Sequence, residues 1–194
     1  ESVLVGSTGV IGMQLPMDRV KSGIKMLAEA KNSSKEKGTE AAKAIMTTDT
    51  KNKEVAVRFE LGGATVTMGG MCKGSGMIHP NMGTMLCFLT TDCAISSEMI
   101  KSALLETVQV SFNRISGTTN DTCCVLANGL AGNPVITEKG PDYDAFVEAL
   151  RALCVELAKK MASDGEGATH LITCTVTGAG SEQSAETVAK SVIG

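Results

Sequence analysis

Short stretches of alternating or continuous apolar residues predict the β-strands of this chain. Residues 54–70 alternate between apolar and polar or small side chains, and Gly62 and Gly63 interrupt the alternation. Two consecutive glycines between alternating stretches predict a β-hairpin with a two-residue turn. Four further stretches have the composition of strands, namely residues 3–5, 85–89, 122–129 and 169–178.

Apolar residues that recur at helical spacing predict five helices. The most regular is predicted over residues 143–161, where Phe146, Leu150, Leu153 and Leu157 line one face. A helix over residues 15–31 has Pro16 in its first turn and Val20, Ile24 and Leu27 on one face. A helix over residues 96–110 has a stripe of Ile100, Leu104 and Val108. The two remaining helices are residues 39–45, with Thr39 as N-cap, and residues 181–193, capped by Ser181.

Helices and strands alternate along the chain, and one hairpin interrupts the alternation. This order predicts an α/β (mixed α+β) fold, in which a layered sandwich of β-sheets is flanked by helices. The length of 194 residues fits one domain, residues 1–194. No internal repeat, low-complexity tract or linker divides the chain.

Composition excludes several classes of function. The net charge is −3, aromatic residues make up 3% of the chain and Trp is absent, which argues against a nucleic-acid partner. No apolar stretch approaches the roughly 20 residues of a membrane span. Seven cysteines without a CxxC pair indicate reduced thiols in a reducing compartment, and two histidines are too few to indicate a metal site.

Glycine and small hydroxyl residues concentrate in loops, where candidate chemistry lies. Thr84 is a candidate nucleophile, but neither histidine is placed to activate it as a base. A cut after Gly83 would make Thr84 an N-terminal residue, whose own α-amine, with a pKa of about 7.7–8.0, can act as the base. From the residues alone, a shared active site and a set of glycine turns both stay open.

Several segments together resemble the glutamate N-acetyltransferase/ornithine acetyltransferase family of arginine biosynthesis. They are "STGVIGMQLPMDRV", "AIMTTDT", "GGMCKGSGMIHPNMGTMLCFLTTD", "SFNRIS…TNDT", "LANG" and "DGEGATH", in order over nearly the whole chain. The resemblance implies a precursor that cuts itself between Gly83 and Thr84. Residues 1–83 would then end an α-chain and residues 84–194 would start a β-chain, both being parts of a longer precursor.

The same resemblance implies that Thr84 takes acetyl from N-acetylornithine and passes it to glutamate through an acetyl-threonine. The implied site residues are Thr8 and Gly9 in the oxyanion hole, and Thr47, Lys73, Thr84 and Glu166 in substrate binding. It implies no cofactor, and it leaves acetyl-CoA open as an alternative acetyl donor.

The resemblance also implies the assembly and the location of the protein. Its partners would be the two small-molecule substrates and its own second chain, in a heterotetramer of two α and two β chains. The location would be the cytoplasm, or the mitochondrial or plastid matrix in a eukaryote. Two alternatives stay open, namely an amidase or aminopeptidase with the same threonine nucleophile, and an unprocessed relic domain without catalysis.

Overall fold

The computed structural model describes residues 3–10, 12–74, 85–112, 121–165 and 167–193. Within these ranges the chain forms five helices and four strands. The helices are α1 (Met17–Ala30), α2 (Lys35–Ala44), α3 (Ser97–Val110), α4 (Pro141–Ala162) and α5 (Glu182–Ile193). The strands are β1 (Lys53–Leu61), β2 (Ala64–Lys73), β3 (Leu86–Thr91) and β4 (Thr122–Ala127).

The four strands form one mixed sheet in the order β1-β2-β3-β4. β1 with β2 and β2 with β3 are antiparallel, whereas β3 and β4 are parallel. The parallel pair needs a crossover, and α3 lies in the chain between its two strands. α4 packs on β1 and β2, and α3 packs beside β4 and α4. This arrangement confirms the mixed α/β class.

The predicted hairpin is confirmed. Leu61 pairs with Ala64, and the two glycines between them have positive φ angles of 57° and 81°. Both angles suit a type I′ turn, which glycine adopts without steric strain. A side chain at Gly62 would also place its Cβ 2.6 Å from Pro134 Cδ.

The long helix α4 supplies the core, as its periodicity predicted. The predicted stripe is completely buried at Phe146, Leu150, Leu153 and Leu157. The helix lies close to the sheet because β2 carries Gly70 at the crossing. A Cβ at Gly70 would lie 2.4 Å from Leu89 Cδ2 and 3.0 Å from Leu153 Cδ2.

The start of α2 was predicted wrongly. Ser34, rather than Thr39, is the N-cap, and its hydroxyl accepts a hydrogen bond from the N–H of Lys37 at 3.3 Å. The helix therefore begins at Lys35, four residues before the predicted start at Thr39. Thr39 lies inside the helix and donates its hydroxyl proton to Glu54 at 2.9 Å.

Helices α3 and α5 were predicted correctly. Ser96 caps α3 by accepting the N–H of Met99 at 3.3 Å, and Ser181 caps α5 by accepting the N–H of Ser184 at 3.1 Å. The buried face of α3 is centred one residue before the predicted stripe. It consists of Met99, Ala103 and Thr107, with Ile100, Leu104 and Val108 half-buried beside them.

Two predicted strands are wrong, because residues 3–10 and 168–177 form neither helix nor strand. Apolar side chains in both segments, such as Val5 and Ile172, are exposed. An apolar stretch becomes a strand only beside another strand that completes its hydrogen bonds, and no described strand pairs with either segment. Helix α1 is confirmed, but its apolar residues Ile24 and Leu27 are exposed.

Candidate active site

The predicted cleavage residues Gly83 and Thr84, and the predicted substrate-binding Glu166, lie outside the described residues. The described chain stops at Gly74, directly after β2, and resumes at Met85, directly before β3. The surroundings of this gap, which we call the β2–β3 edge, are therefore the part of the candidate site that can be described.

Lys73 ends β2 and lies at the β2–β3 edge. The antiparallel ladder pairs Lys73 with Leu86, the first residue of β3 and the second residue after Thr84 in the sequence. Directly opposed residues in such a ladder have Cα atoms about 4.5–5.5 Å apart. The Lys73 side chain is buried, with 5% exposure. The register thus brings Lys73 next to the strand that follows Thr84 in the sequence.

Both backbone polar groups of Met85 form hydrogen bonds, which hold the start of β3 in place. Its N–H donates to Asp121 Oδ1 at 2.8 Å, and its carbonyl accepts the N–H of Thr122 at 2.9 Å. Asp121 belongs to the segment "TNDT", to which the sequence analysis gave no role. Its position directly before β4, parallel to β3, was the available signal, because parallel neighbours start at the same edge.

The segment with Thr8 and Gly9 passes close to β3. A Cβ at Gly6 would lie 2.9 Å from Phe88 Cζ, so a larger residue at this position would require the Phe88 ring to shift. Thr8 is half-buried and Gly9 is exposed. The contact at Gly6 brings the predicted oxyanion residues toward β3 through a segment without regular structure.

Thr47 lies in the loop before β1, and its side chain is exposed. Its backbone N–H donates to Asp49 Oδ2 at 3.2 Å. The other oxygen of this carboxylate, Oδ1, accepts the N–H of Gly74 at 2.8 Å. One carboxylate therefore connects the loop of Thr47 with the residue that follows Lys73.

Three buried charged residues, Asp49, Lys53 and Asp164, lie beside this connection, and the exposed Thr50 hydrogen-bonds to Asp164. We call these four residues the Lys53 cluster. Lys53 is 1% exposed, and its Nζ lies 2.7 Å from Asp49 Oδ1 and 2.5 Å from Asp164 Oδ2. Thr50 donates its hydroxyl proton to Asp164 Oδ1 and its N–H to Asp164 Oδ2. No motif in the sequence pointed to this cluster.

Both carboxylates of the cluster are held in the ionised state. Burial by itself raises the pKa of Asp49, but the N–H of Gly74, the Lys53 ammonium and the N–H of Thr47 outweigh it and lower the pKa below 3.8. Burial likewise raises the pKa of Asp164, and the bonds from Lys53 and Thr50 outweigh it, so this pKa is also lowered. The cluster thus holds one cation and two anions at neutral pH.

Cys72 directly precedes Lys73 in β2 and carries a thiol. Burial raises the pKa of its thiol to about 12, and the thiol donates to the Leu157 carbonyl at 3.9 Å. Because the thiolate is the nucleophilic form of cysteine, Cys72 is inert at neutral pH. The described cysteines are all free thiols, as the sequence predicted.

Two features are absent from the described residues. No helix in the described ranges is long and apolar enough to cross a membrane. Among the same residues, no group of three or more His, Cys, Asp or Glu side chains could hold a metal ion.

The fold and the β2–β3 edge define a mixed α/β protein with buried charges beside one end of its sheet. The chain belongs to the ArgJ family, whose family model matches residues 1–194. This match confirms the family resemblance found in the motifs.

Curated relatives carry the name "Arginine biosynthesis bifunctional protein ArgJ". The protein from Symbiobacterium thermophilum is 54% identical, over 98% of this chain and 48% of its own length. The protein from Lactococcus lactis is 48% identical, over 100% of this chain and 49% of its own length. The chain therefore spans about half the length of the curated relatives it matches.

A solved structure supports the same fold. The crystal structure of arginine biosynthesis bifunctional protein ArgJ from Bacillus halodurans matches with a TM-score of 0.51 and 43% sequence identity. The match covers 55% of this chain and 52% of that chain.

Proposed function

We propose that the protein is a glutamate N-acetyltransferase (ornithine acetyltransferase) of arginine biosynthesis. Membership of the ArgJ family and the naming of its relatives as arginine biosynthesis bifunctional proteins support this proposal. The observation that carries the proposal at the level of the site is the β2–β3 register. It pairs the buried cation Lys73 with Leu86, two residues after the proposed nucleophile Thr84.

In the proposed first half-reaction, the Thr84 hydroxyl attacks the acetyl carbonyl of N-acetylornithine. The α-amine of Thr84 accepts the hydroxyl proton, and Thr8 and Gly9 stabilise the tetrahedral oxyanion. When the oxyanion collapses, the C–N bond breaks, and ornithine leaves with the proton on its amine. Acetyl remains on Thr84 as an ester.

In the second half-reaction, the deprotonated amine of glutamate attacks this ester. A second oxyanion forms and collapses, the ester C–O bond breaks, and the Thr84 hydroxyl recovers its proton. Thr47, Lys73 and Glu166 bind the amino-acid part of both substrates, with Lys73 on the α-carboxylate. One binding site serves both half-reactions because both substrates carry that carboxylate.

The nucleophile arises by self-cleavage. The Thr84 hydroxyl attacks the Gly83 carbonyl, the peptide shifts from nitrogen to oxygen, and water hydrolyses the resulting ester. Residues 1–83 then belong to an α-chain and residues 84–194 to a β-chain of one catalytic domain. We further propose a heterotetramer of two α and two β chains in the cytoplasm, without a cofactor. A second donor role for acetyl-CoA is tested by supplying it in place of N-acetylornithine.

Intact mass spectrometry tests self-cleavage in the full chain of the protein. We expect two species that separate between Gly83 and Thr84, and a single species for Thr84→Ala. Thr90→Ala removes an exposed hydroxyl from the same strand region and serves as the control that still splits. A Thr84→Ala protein that splits at this bond would contradict the mechanism.

Acetyl transfer is tested with N-acetylornithine in the presence and absence of glutamate. We expect ornithine release to depend on glutamate, and we expect one molecule of N-acetylglutamate to form for each ornithine released. Ornithine release at the same rate without glutamate would mean that water accepts the acetyl group, which would contradict a transferase.

A further inference from the structure

We propose that the Lys53 cluster is a positioning device that holds the backbone at Thr47 and Lys73 in one substrate-binding geometry. The inference rests on the proposed function, because it takes Thr47 and Lys73 as substrate-binding residues. Cluster members act through the backbone and do not touch the substrate. They are therefore positioning residues rather than catalytic ones.

Asp49 is the joint of the device. Its Oδ2 holds the N–H of Thr47, and its Oδ1 holds the N–H of Gly74 and the Lys53 ammonium. The two backbone groups come from segments that are 27 residues apart in sequence, since Gly74 follows Thr47 by that number. A single buried carboxylate thus sets how far the loop of Thr47 lies from the end of β2, where Lys73 is located.

Lys53 fixes the orientation of that carboxylate. Its ammonium has three protons, and three oxygens accept them: Asp49 Oδ1 at 2.7 Å, Asp164 Oδ2 at 2.5 Å and the Lys51 carbonyl at 3.2 Å. Because every donor is used, the ammonium has one preferred orientation. The joint therefore cannot rotate without breaking a charged hydrogen bond.

Asp164 connects the joint to the rigid core. It follows α4 directly, and the inner face of α4 is completely buried. Its carboxylate accepts the N–H and the hydroxyl of Thr50 and the ammonium of Lys53. The loop of Thr47, the end of β2 and the turn after α4 consequently share one buried anchor.

The ionic composition itself argues for positioning. Apolar residues would fill the same volume without the desolvation of three charges. They would not accept the N–H groups of Thr47 and Gly74, which Asp49 accepts at 3.2 and 2.8 Å. The charges therefore do something that packing alone would not do.

Asp49→Asn tests the inference in the full chain of the protein. The Asn side chain keeps the volume, but its NH₂ group faces N–H and ammonium donors and cannot accept from them. We expect kcat/KM to fall about 10- to 100-fold through a higher KM for both N-acetylornithine and glutamate, with kcat nearly unchanged. Self-cleavage uses no bound substrate, so we expect it to proceed at the wild-type rate.

Two further variants separate positioning from general instability. Ile136 is buried, and its backbone forms a β-bridge with Ile95 beyond the opposite end of β3. Ile136→Val trims the buried side chain there, and we expect a lower melting temperature with unchanged KM. Thr50→Val removes only a hydroxyl bond to Asp164, and we expect the same KM-specific change to a smaller degree. It tests the inference even where Asp49→Asn does not fold.

The outcomes separate the inference from the proposed function. An active wild type whose Asp49→Asn and Thr50→Val variants keep the wild-type KM would overturn the positioning role alone. A loss of kcat and self-cleavage together, matched by Ile136→Val at equal destabilisation, would also overturn it. A wild-type protein that neither splits nor transfers acetyl would overturn the proposed function, and the inference with it.

Discussion

Buried polar side chains hold the chain together beyond both ends of β3, with charged groups at one end and a neutral amide at the other. At the β2–β3 edge the Lys53 cluster uses one ammonium and two carboxylates. Beyond the other end of β3, the buried Asn133 uses a neutral amide, whose Oδ1 accepts the N–H of Ala94 at 2.9 Å. Its Nδ2 donates to the carbonyls of Ala94 and Pro134 at 3.1 and 2.7 Å.

The two ends also differ in the number of chain segments that their polar side chains connect. Asn133 connects two segments, the chain around Ala94 and its own loop, and a neutral amide is sufficient for this. The Lys53 cluster connects three segments, and its central cation binds two separate anions. Closing one end of a sheet therefore does not require charge, whereas joining three segments around a buried centre uses it here.

The largest effect in this comparison is expected for Lys53→Met. The substitution leaves Asp49 and Asp164 buried without their cation, which costs about 3–5 kcal/mol of the free energy of unfolding. Urea denaturation of wild type and variant measures this loss. The triple variant Asp49→Asn/Lys53→Met/Asp164→Asn removes all three charges and should lose less than Lys53→Met. A Lys53→Met protein as stable as wild type would contradict the account of the charged end.

The next largest effect is expected in acid. The folded pKa values of Asp49 and Asp164 are lowered below 3.8, so their contribution to stability is complete above that pH and is lost as the pH falls through the lower folded values. The loss is smaller than for Lys53→Met because a protonated carboxyl still forms hydrogen bonds. Urea denaturation at about pH 6 and about pH 3 measures it. Asp49→Asn/Asp164→Asn should flatten the dependence, and an equally steep curve would contradict the assignment.

At the neutral end, Asn133→Ala is expected to cost about 1–3 kcal/mol, because it leaves the N–H of Ala94 without its partner. The carbonyl of Ala94 keeps the N–H of Ile136. The free energy of unfolding of this variant should change equally at both pH values. A loss that grew in acid would mean that this end also depends on charge.

The smallest effect is expected at Ser96, which begins α3 near the neutral end. Ser96→Ala removes the cap from the N–H of Met99 and is expected to cost about 1 kcal/mol. Ser34→Ala removes the equivalent cap from the exposed helix α2 and serves as the comparison. Equal losses would indicate that the cap alone decides the cost, whereas a larger loss at Ser96 would indicate that α3 is coupled to the core.

The sequence predicts best where a local pattern and the tertiary environment agree. The Gly62-Gly63 turn and the stripe around Leu150 follow from local chemistry, and both are confirmed. Residues 3–5 and 169–178 have equally strand-like composition, but a strand also needs a neighbour, which composition does not reveal. The predicted start of α2 was wrong because serine and threonine are both good caps, so Ser34 and Thr39 were both candidates. Only the structure shows which hydroxyl accepts an N–H.

For the site, motifs identified the segments but not the contacts between them. Lys73 was predicted to bind substrate from its motif, and the structure adds that it pairs with Leu86 in the β2–β3 ladder. Lys53 and Asp164 were missed because 111 residues separate them, and their ion pair exists only in the folded chain. Lys53 is the first residue of β1, and a single lysine at the start of a strand does not identify its partner in the folded chain.

The antiparallel pairing of β2 with β3 has a consequence for a chain cut between Gly83 and Thr84. The two strands flank the cut, and their ladder runs from Met68 opposite Thr91 to Lys73 opposite Leu86. The interface between the two products would therefore be the middle of a sheet rather than a surface between finished subunits. Neither product could leave without exposing an open strand edge, so separation and unfolding would be the same event.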